Sequence, residues 1–408
     1  MNCRHCNKHL EHVFVDLGYA PHSNAYRSEL KSVEKTFPLK VLVCDNCWLV
    51  QTEDASSSED HFHADYAYFS SISSTWLNHS KKYSEDIVKR LSLDDKSFVV
   101  EIASNDGYLL KNFVEMNIPC LGVEPTESTA EYAISIGVPT LKEFFGEESA
   151  KSMVISHGKA DLIAGNNVYA HVPDINDFTK GIQTLLKPEG TVTLEFPHLL
   201  QLVKNHQFDT IYHEHYSYLS LTAVRSIFRL AGLDIYDVEE ITTHGGSLRV
   251  YGAHKEFAEQ SITDRVTRVL SDEVNAGLND LKVYTGFQDM VENIKIKLIE
   301  FLTQCKRSGK KVGCYGAAAK GNTLLNFTGI KKDLIDKVYD AAPSKVGKFL
   351  PGSHIEVAAP QQIEKDKPDY LIILPWNIKE EVIKQNDFIY DWGGKFVVFI
   401  PTYEVLEK

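Results

Sequence analysis

Short apolar runs alternate with helix-forming segments between residues 97 and 196. The runs consist mainly of valine, leucine and isoleucine, and they lie at Ser97–Ile102, Cys120–Glu124, Val138–Leu141, Asp161–Ala164 and Gly190–Phe196. Helices are predicted between them, for example from Tyr108 onward and over Glu127–Ile136. Continuous apolar strands that alternate with helices predict a parallel sheet covered on both faces.

A second alternation of the same kind begins near residue 285. A long helix is predicted over residues 284–308, and four apolar strands follow it at Lys311–Tyr315, Lys337–Asp340, Asp369–Leu374 and Lys395–Phe399. The glycine-rich stretch Gly316–Gly321 (GAAAKG) comes directly after the first of these strands. The pattern therefore predicts an α/β protein with two Rossmann-like domains in series.

The first 60 residues predict short strands and turns around four cysteines. These form two CxxC pairs, Cys3 with Cys6 and Cys44 with Cys47. Two such pairs complete a tetrahedral, all-thiolate zinc site, and a site with no open position is structural. The alternatives are two redox-active pairs, or a site in which His5 replaces one sulfur. The predicted domains are a zinc-binding domain at 1–75, a central domain at 76–240 and a C-terminal domain at 241–408.

Composition narrows the class of protein. The chain has 408 residues, of which 43% are hydrophobic and 24% charged, and its net charge is −13. That charge argues against a nucleic-acid partner, which requires a basic face. No apolar run approaches the roughly 18 residues of a membrane span, and no signal peptide is evident, so we expect a cytoplasmic location with reduced cysteines and no membrane partner.

Polar residues cluster where the central strands end, which is the edge at which open parallel sheets bind ligands. Glu124 ends the second strand, where an acid can accept both hydroxyls of a ribose. The first loop has a single glycine, whereas a dinucleotide pyrophosphate needs several, so the pattern favours S-adenosylmethionine (SAM) over NAD. The candidate cofactor residues are Glu101, Ser104, Asn105, Asp106, Gly107, Glu124, Pro125, Phe144, Phe145, Asn166 and Asn167.

The segment Phe208–Leu219 has the highest density of polar aromatic side chains. It contains Tyr212, Glu214 and His215, a set suited to proton transfer because a neutral histidine accepts a proton near pH 7. A metal site on the HxH pair and a structural cluster are the alternatives. The further catalytic candidates are His171, which follows the fourth central strand, and Tyr66 and Tyr68 at the first domain junction.

Taken together, these motifs resemble the zinc-containing sugar C-methyltransferases. The resemblance covers essentially the whole chain, in the same order, and the motifs that carry it are the two cysteine pairs, EIASNDGYLL at Glu101–Leu110, NNVYAHVPD at Asn166–Asp174, YHEHY at Tyr212–Tyr216 and GAAAKG at Gly316–Gly321. Members of this family methylate nucleotide-linked 4-keto deoxysugars with SAM as the methyl donor.

The resemblance implies a role for each site. His215 is expected to remove the proton next to the ketone, with Tyr212 and Glu214 beside it, and His171 matches a second active-site histidine. The tyrosine of the Y-x-Y motif is matched by either Tyr66 or Tyr68. Tyr212 or His171 would donate to the enolate oxygen, and zinc would be structural.

A dTDP-, CDP- or GDP-linked sugar is expected in a cleft toward the C-terminal domain. Lys320, at a helix N-terminus, is a candidate for the diphosphate, and Asn322 and Arg249 are further substrate contacts. The alternatives are a scaffold role for the GAAAKG unit and a plain hairpin around Arg249.

Carbon 3 is the favoured position of methylation, with carbon 5 as an alternative within the same chemistry. An O- or N-methyltransferase and a non-catalytic zinc-headed binding protein are the competing functions. A cleft formed within one chain makes a monomer sufficient.

Overall fold

The computed structural model describes residues 1–54, 70–72, 74–259 and 261–407. Tyr66 and Tyr68 lie outside these residues. The strands are β1 (His12–Ala20), β2 (Phe37–Val43), β3 (Val50–Thr52), β4 (Val99–Ile102), β5 (Cys120–Val123), β6 (Thr140–Leu141), β7 (Ala160–Asn166), β8 (Leu186–Pro197), β9 (Ser217–Tyr218), β10 (Leu233–Ile241), β11 (Ser247–His254), β12 (Val312–Tyr315), β13 (Val338–Tyr339), β14 (Val357–Ala358), β15 (Tyr370–Ile373), β16 (Lys395–Val398) and β17 (Glu404–Leu406).

The helices occupy the segments between these strands, and none of them, within the described residues, is both long and apolar enough to cross a lipid bilayer. They are α1 (Ser74–Leu91), α2 (Leu110–Glu115), α3 (Glu127–Ser135), α4 (Glu147–His157), α5 (Ile175–Leu185), α6 (Leu199–Lys204), α7 (Leu221–Leu230), α8 (Lys255–Ala258), α9 (Asp264–Asn275), α10 (Leu281–Thr285), α11 (Phe287–Arg307), α12 (Ala319–Thr328), α13 (Ile363–Asp366) and α14 (Lys379–Gln385).

The central sheet has the strand order β10-β11-β8-β7-β4-β5-β6. The five strands from β8 to β6 are parallel, and β11 and β10 add an antiparallel edge. Every residue of β4 and β5 is buried, as expected for strands covered on both faces. The predicted α/β architecture is therefore confirmed. The sheet continues to His254, past the boundary expected at residue 240, because the β10–β11 hairpin closes on β8 through long-range pairing.

The C-terminal sheet has the order β14-β13-β12-β15-β16-β17, and all its neighbours are parallel except β16 and β17. In both large sheets the first strand of the parallel unit, β4 or β12, has its successor on one side and a later strand on the other. This reversal of strand order opens a crevice beyond the carboxyl ends of the strands, where open α/β sheets bind ligands.

The N-terminal sheet, of order β1-β2-β3-β9, lies between the two larger units. On one side the ring of Phe14 stacks on Phe287 of α11 with centroids 4.3 Å apart. On the other side the cysteine-containing turns share a hydrophobic core with the central strands. Its last strand, β9, comes from a distant part of the chain and pairs antiparallel with β3, Val50 opposite Tyr218. Two chain segments about 170 residues apart are thus fixed together.

Candidate active site

A cavity of about 600 Å³ lies where the carboxyl ends of the central strands face the C-terminal domain. This volume is within the usual range of small-molecule sites. All three parts of the chain contribute to its wall. The lining includes Asn24, Asn105, Glu124, Pro125, Phe144, Phe145, Asn166, Asn167, His171, Tyr212, Glu214, His215, His244, Lys320, Lys345 and Asn377.

The loop after β4 is held around the Glu124 carboxylate. One oxygen of Glu124 accepts the Asn105 N–H and the other accepts the Thr126 N–H, each at 2.9 Å. Burial raises the pKa of this carboxyl, and the two backbone donors lower it. Asn105 and Gly107 have positive φ angles of 48° and 76°, and a Cβ at Gly107 would approach Val138 to 3.1 Å. The loop therefore needs a glycine at this position.

The structure places the predicted cofactor residues in two layers. Those that line the cavity are Asn105, Glu124, Pro125, Phe144, Phe145, Asn166 and Asn167. Those that lie behind the lining, in β4 and its loop, are Glu101, Ser104, Asp106 and Gly107. Glu101 is fully buried, and burial raises the pKa of its carboxyl well above the usual value. Asp106 accepts the Ser71 N–H at 2.9 Å, so its carboxylate orders the chain that enters α1.

His215 is held with one ring nitrogen directed at the backbone. Its Nδ1–H donates to the Thr210 carbonyl at 2.9 Å, which leaves the lone pair of the neutral ring on Nε2. Burial lowers its pKa well below the usual histidine value, and the neighbouring His171 lowers it further. The imidazole is therefore neutral at pH 7 and suited to accept a proton.

Tyr212 and His171 lie beside this ring, and Glu214 lines the same cavity. The Tyr212 ring lies 4.0 Å from the His215 ring between centroids, and the His171 ring lies 4.7 Å away. His171 donates its Nδ1–H to the Glu214 carbonyl at 2.8 Å, and burial lowers its pKa to about 4. The Glu214 carboxylate accepts the Asn24 amide at 2.7 Å, and burial raises its pKa to about 7. Tyr212, Glu214, His215 and His171 thus line one cavity, and they are the predicted catalytic residues that the structure describes.

His213 is directed away from the cavity. Its Nε2–H donates to the Pro38 carbonyl at 3.2 Å, and its ring lies near Phe37. His213 and His215 thus face different surroundings: His213 contacts the N-terminal sheet, and His215 lines the cavity. In the parts of the chain that the structure describes, the four cysteines are the group of three or more ligands close enough to share a metal ion. The HxH metal alternative has no support in this geometry.

The C-terminal domain contributes Lys320, whose ammonium donates to Asn377 Oδ1 at 2.8 Å and lies 4.6 Å above the Trp376 ring. Burial lowers its pKa, and Asp209 opposes that effect. Asn322 does not reach the cavity, since its amide donates to the Ser23 carbonyl at 2.6 Å.

Arg249 does not reach the cavity either, because it is paired at 2.9 Å with the buried Glu195. The turn at residues 243–246 directly precedes the strand that contains Arg249. Its His244 does line the cavity, and sequence reasoning did not single this residue out. The two adjacent glycines, Gly245 and Gly246, were the available signal: both have positive φ, and they turn the chain so that His244 is presented to the cavity.

The four cysteine sulfurs lie within 4.8 Å of one another, and the Cys3–Cys47 and Cys6–Cys44 sulfurs are each 3.5 Å apart. Tetrahedral zinc–sulfur bonds of about 2.3 Å require sulfurs a little under 4 Å apart, so the set fits a zinc ion. Gln51 donates its amide to Cys3 Sγ at 3.3 Å, as outer-shell groups of such sites do. His5 is engaged by Asn176 and Ser226 and is not a ligand.

Comparison with known proteins identifies the class of protein to which the chain belongs. Three family models match in succession: a zinc binding domain over residues 3–62, a methyltransferase domain over residues 76–238 and a C-methyltransferase C-terminal domain over residues 242–401. The chain is a SAM-dependent methyltransferase, and its cysteine cluster is a structural zinc site.

A curated relative narrows this to a family. C-methyltransferase NovU of Streptomyces niveus is 35% identical over 373 residues, which are 91% of this chain and 88% of that protein. The chain belongs to the family of zinc-containing C-methyltransferases.

Solved structures resemble part of the chain. A SAM-dependent methyltransferase from Clostridium acetobutylicum is 12% identical with a TM-score of 0.36, and covers 44% of this chain and 92% of its own. The magnesium protoporphyrin IX methyltransferase of Synechocystis with bound SAM is 13% identical with a TM-score of 0.33, and covers 44% of this chain and 82% of its own. At this level they add nothing to the family assignment.

Replacing Cys44 by serine is expected to abolish zinc binding and to destabilise the N-terminal domain by about 4 kcal/mol or more, because metal binding supplies folding free energy. Zinc content by mass spectrometry and chemical denaturation measure this. Cys305→Ser is the matched control, since Cys305 is a buried thiol outside the cluster, and it should retain zinc. A folded, active, zinc-free Cys44→Ser protein would contradict the structural role.

Removing the Asn24 amide is expected to raise the pKa of Glu214 further and to lower the free energy of unfolding by an amount that depends on pH. The folded-state pKa of Glu214, about 7, exceeds the roughly 4.3 of a free glutamate, so the folded state holds more protons in that window and stability falls as the pH rises through it. A hydrogen bond to a charged group contributes about 1.5–3 kcal/mol. Asn24→Ala should lose that amount above about pH 8 and less near about pH 5, where the carboxyl is protonated.

Chemical denaturation at the two pH values measures this difference. In a Glu214→Gln background, which has no carboxylate to stabilise, Asn24→Ala should have the same effect at both. Equal destabilisation of the single variant at both pH values would show that Asn24 does not act on the ionised carboxylate.

Proposed function

We propose that this protein transfers a methyl group from SAM to carbon 3 of a nucleotide-linked 4-keto deoxysugar. The observation that carries the proposal is His215: a neutral imidazole in the cavity wall whose Nδ1–H is committed to Thr210, so that Nε2 has the lone pair. A base of this kind suits removal of a proton from a carbon next to a ketone.

In this scheme the proton moves from carbon 3 to Nε2 of His215, and its bonding electrons form an enolate with the ketone oxygen. SAM, when bound, supplies the electrophilic methyl group that the nucleophilic carbon accepts. Glu124 and Asn105, at the end of β5 and in the loop after β4, are the groups we assign to the SAM ribose and its neighbourhood, and Phe144 and Phe145 are assigned to its adenine. Holding both substrates in one cavity removes much of the entropic cost of their encounter.

The acceptor nucleotide is assigned to the second sheet, because its first loop repeats the hydrogen bonding of the SAM loop. Asp340 follows β13 and accepts the Ala317 N–H at 2.7 Å and the Ala342 N–H at 2.8 Å. Glu124 accepts the corresponding amides in the central domain. Lys320 and Lys345 line the cavity beside this loop and can offset the negative charge of a diphosphate.

Action as a monomer is part of this proposal. A zinc site made of thiolates requires reduced cysteines, which supports a cytoplasmic setting. Both points belong to the proposal and are open to sedimentation and localisation experiments.

The experiment that tests the proposal combines the enzyme with SAM and a panel of dTDP-, CDP- and GDP-linked 4-keto-6-deoxysugars. Mass spectrometry should show a gain of one methyl group, and NMR should place it on carbon 3. A methyl on carbon 5 would correct the position only. A methyl on oxygen or nitrogen would leave the assignment as a methyltransferase intact and refute the enolate mechanism. No transfer, with SAM shown to bind, would exclude this acceptor class.

His215→Gln should lower turnover by about 10²–10⁴-fold, the range expected for loss of a general base, while SAM affinity stays the same. The matched control is His213→Gln, two positions away and directed at the Pro38 carbonyl instead of the cavity. Steady-state kinetics with the acceptor identified above measure both. Similar rates for the two variants would refute the assignment of His215 as the base.

A further inference from the structure

Three histidines line the cavity, and the hydrogen-bond partner of one ring nitrogen in each indicates which nitrogen carries the proton. His171 and His215 both donate Nδ1–H to a backbone carbonyl, of Glu214 and Thr210 respectively. A carbonyl oxygen only accepts, so the neutral rings of both have a lone pair on Nε2. Neither neutral ring has a second N–H to offer a ligand.

His244 has the opposite arrangement. Its Nε2 lies 3.1 Å from the Asn167 side-chain nitrogen, which only donates, so Nε2 accepts and the ring proton is on Nδ1. Burial, together with the nearby Lys320, lowers the pKa of His244 to about 4, so the ring is neutral at pH 7. Of these three rings, His244 is the one with a ring N–H not committed to a backbone carbonyl.

The turn that holds His244 is built to present it. His244 itself has a φ angle of 54°, in the left-handed region that non-glycine residues seldom occupy. A Cβ at the next residue, Gly245, would lie 2.3 Å from Trp376, so the turn packs tightly against the C-terminal domain. The ring also meets Trp76 edge-to-face at 5.7 Å. Trp376 of the C-terminal domain thus fixes the turn, and Trp76 and Asn167 of the central domain fix the ring beside the cavity.

We propose that His244 is a further catalytic residue, whose Nδ1–H donates a hydrogen bond to the ketone oxygen of the acceptor as that oxygen becomes an enolate. The inference rests on the proposed keto-sugar function. In the step it assists, the carbon–hydrogen bond breaks, the proton goes to His215 Nε2, and the electron pair moves through the carbonyl group to oxygen. His244 donates a hydrogen bond throughout and loses no proton, so the step balances without a further reactant.

The ring nitrogens argue against His171, one of the two donors that the family resemblance implies. A neutral His171 presents Nε2 as an acceptor, and its low pKa opposes the protonation that would make it a donor. A preorganised donor at a developing oxyanion is worth about 10²–10³ in rate, so its removal should be visible.

The test measures enolate formation separately from methyl transfer, as exchange of the acceptor carbon–hydrogen with solvent deuterium by NMR. Two variants tolerate the left-handed backbone: His244→Gly has no donor, and His244→Asn keeps an N–H close to the Nδ1 position. His244→Gly should lower exchange and methyl transfer together by about 100-fold, and His244→Asn by less than about tenfold. SAM affinity and thermal unfolding should change little in either.

The outcomes separate this inference from the proposed function. If the wild-type protein neither exchanges nor methylates any keto sugar, the proposed function fails first. If wild type exchanges and His244→Gly exchanges equally fast, the function stands and the His244 role is overturned. A loss confined to SAM affinity would place His244 in donor binding instead. Nitrogen-15 NMR of labelled histidine gives an independent readout, since a proton on Nε2 of His244 in the free enzyme would also overturn the assignment.

Discussion

The pairing of β3 with β9 is the interaction on which the geometry of the proposed active site depends. Thr52 donates its N–H to the Tyr216 carbonyl at 3.1 Å and its hydroxyl to the His215 carbonyl at 3.0 Å. The backbone of the proposed base is therefore part of the N-terminal sheet. β3 starts three residues after Cys47, and Gln51 within it contacts both Cys3 Sγ and the Arg4 N–H. The zinc site thus fixes the strand that positions His215, which explains how a closed structural metal can matter to chemistry at a distance.

Burial sets the charge state of the site. The cost of holding charge away from bulk water lowers the pKa of three cavity-lining histidines and raises the pKa of Glu214. The histidines are then neutral bases or donors, and their roles are decided by which ring nitrogen is committed to a fixed partner. Lys320 keeps its place over Trp376 near Asp209, so cationic charge is concentrated on the C-terminal side, where a diphosphate is assigned.

The sequence was sufficient for features that depend on local patterns. Apolar runs located β4, β5, β7 and the long helix α11 within a few residues, and the spacing of the cysteines predicted the zinc cluster. Features that depend on distant pairing were not accessible in this way. The attachment of β9 to β3 joins segments about 170 residues apart, and the β10–β11 hairpin extends the central sheet past residue 240. Arg249 looked like a ligand contact, but its strand directs it at the buried Glu195, and the turn before that strand presents His244 instead.

The low pKa of His215 has a consequence for the rest of the site. Burial makes the proposed base neutral and available at pH 7, but it also makes that base weaker, so in the proposed mechanism proton removal from carbon depends more on stabilising the product enolate. A cation beside the ring would stabilise an enolate, yet it would lower the basicity of His215 further, as His171 and Lys320 already do in their charged forms. A neutral donor avoids this conflict, because a dipole fixed by its neighbours stabilises negative charge at close range and has little effect on a ring farther away. An enzyme with a buried histidine base is therefore better served by a neutral N–H at the oxygen than by an ammonium group there.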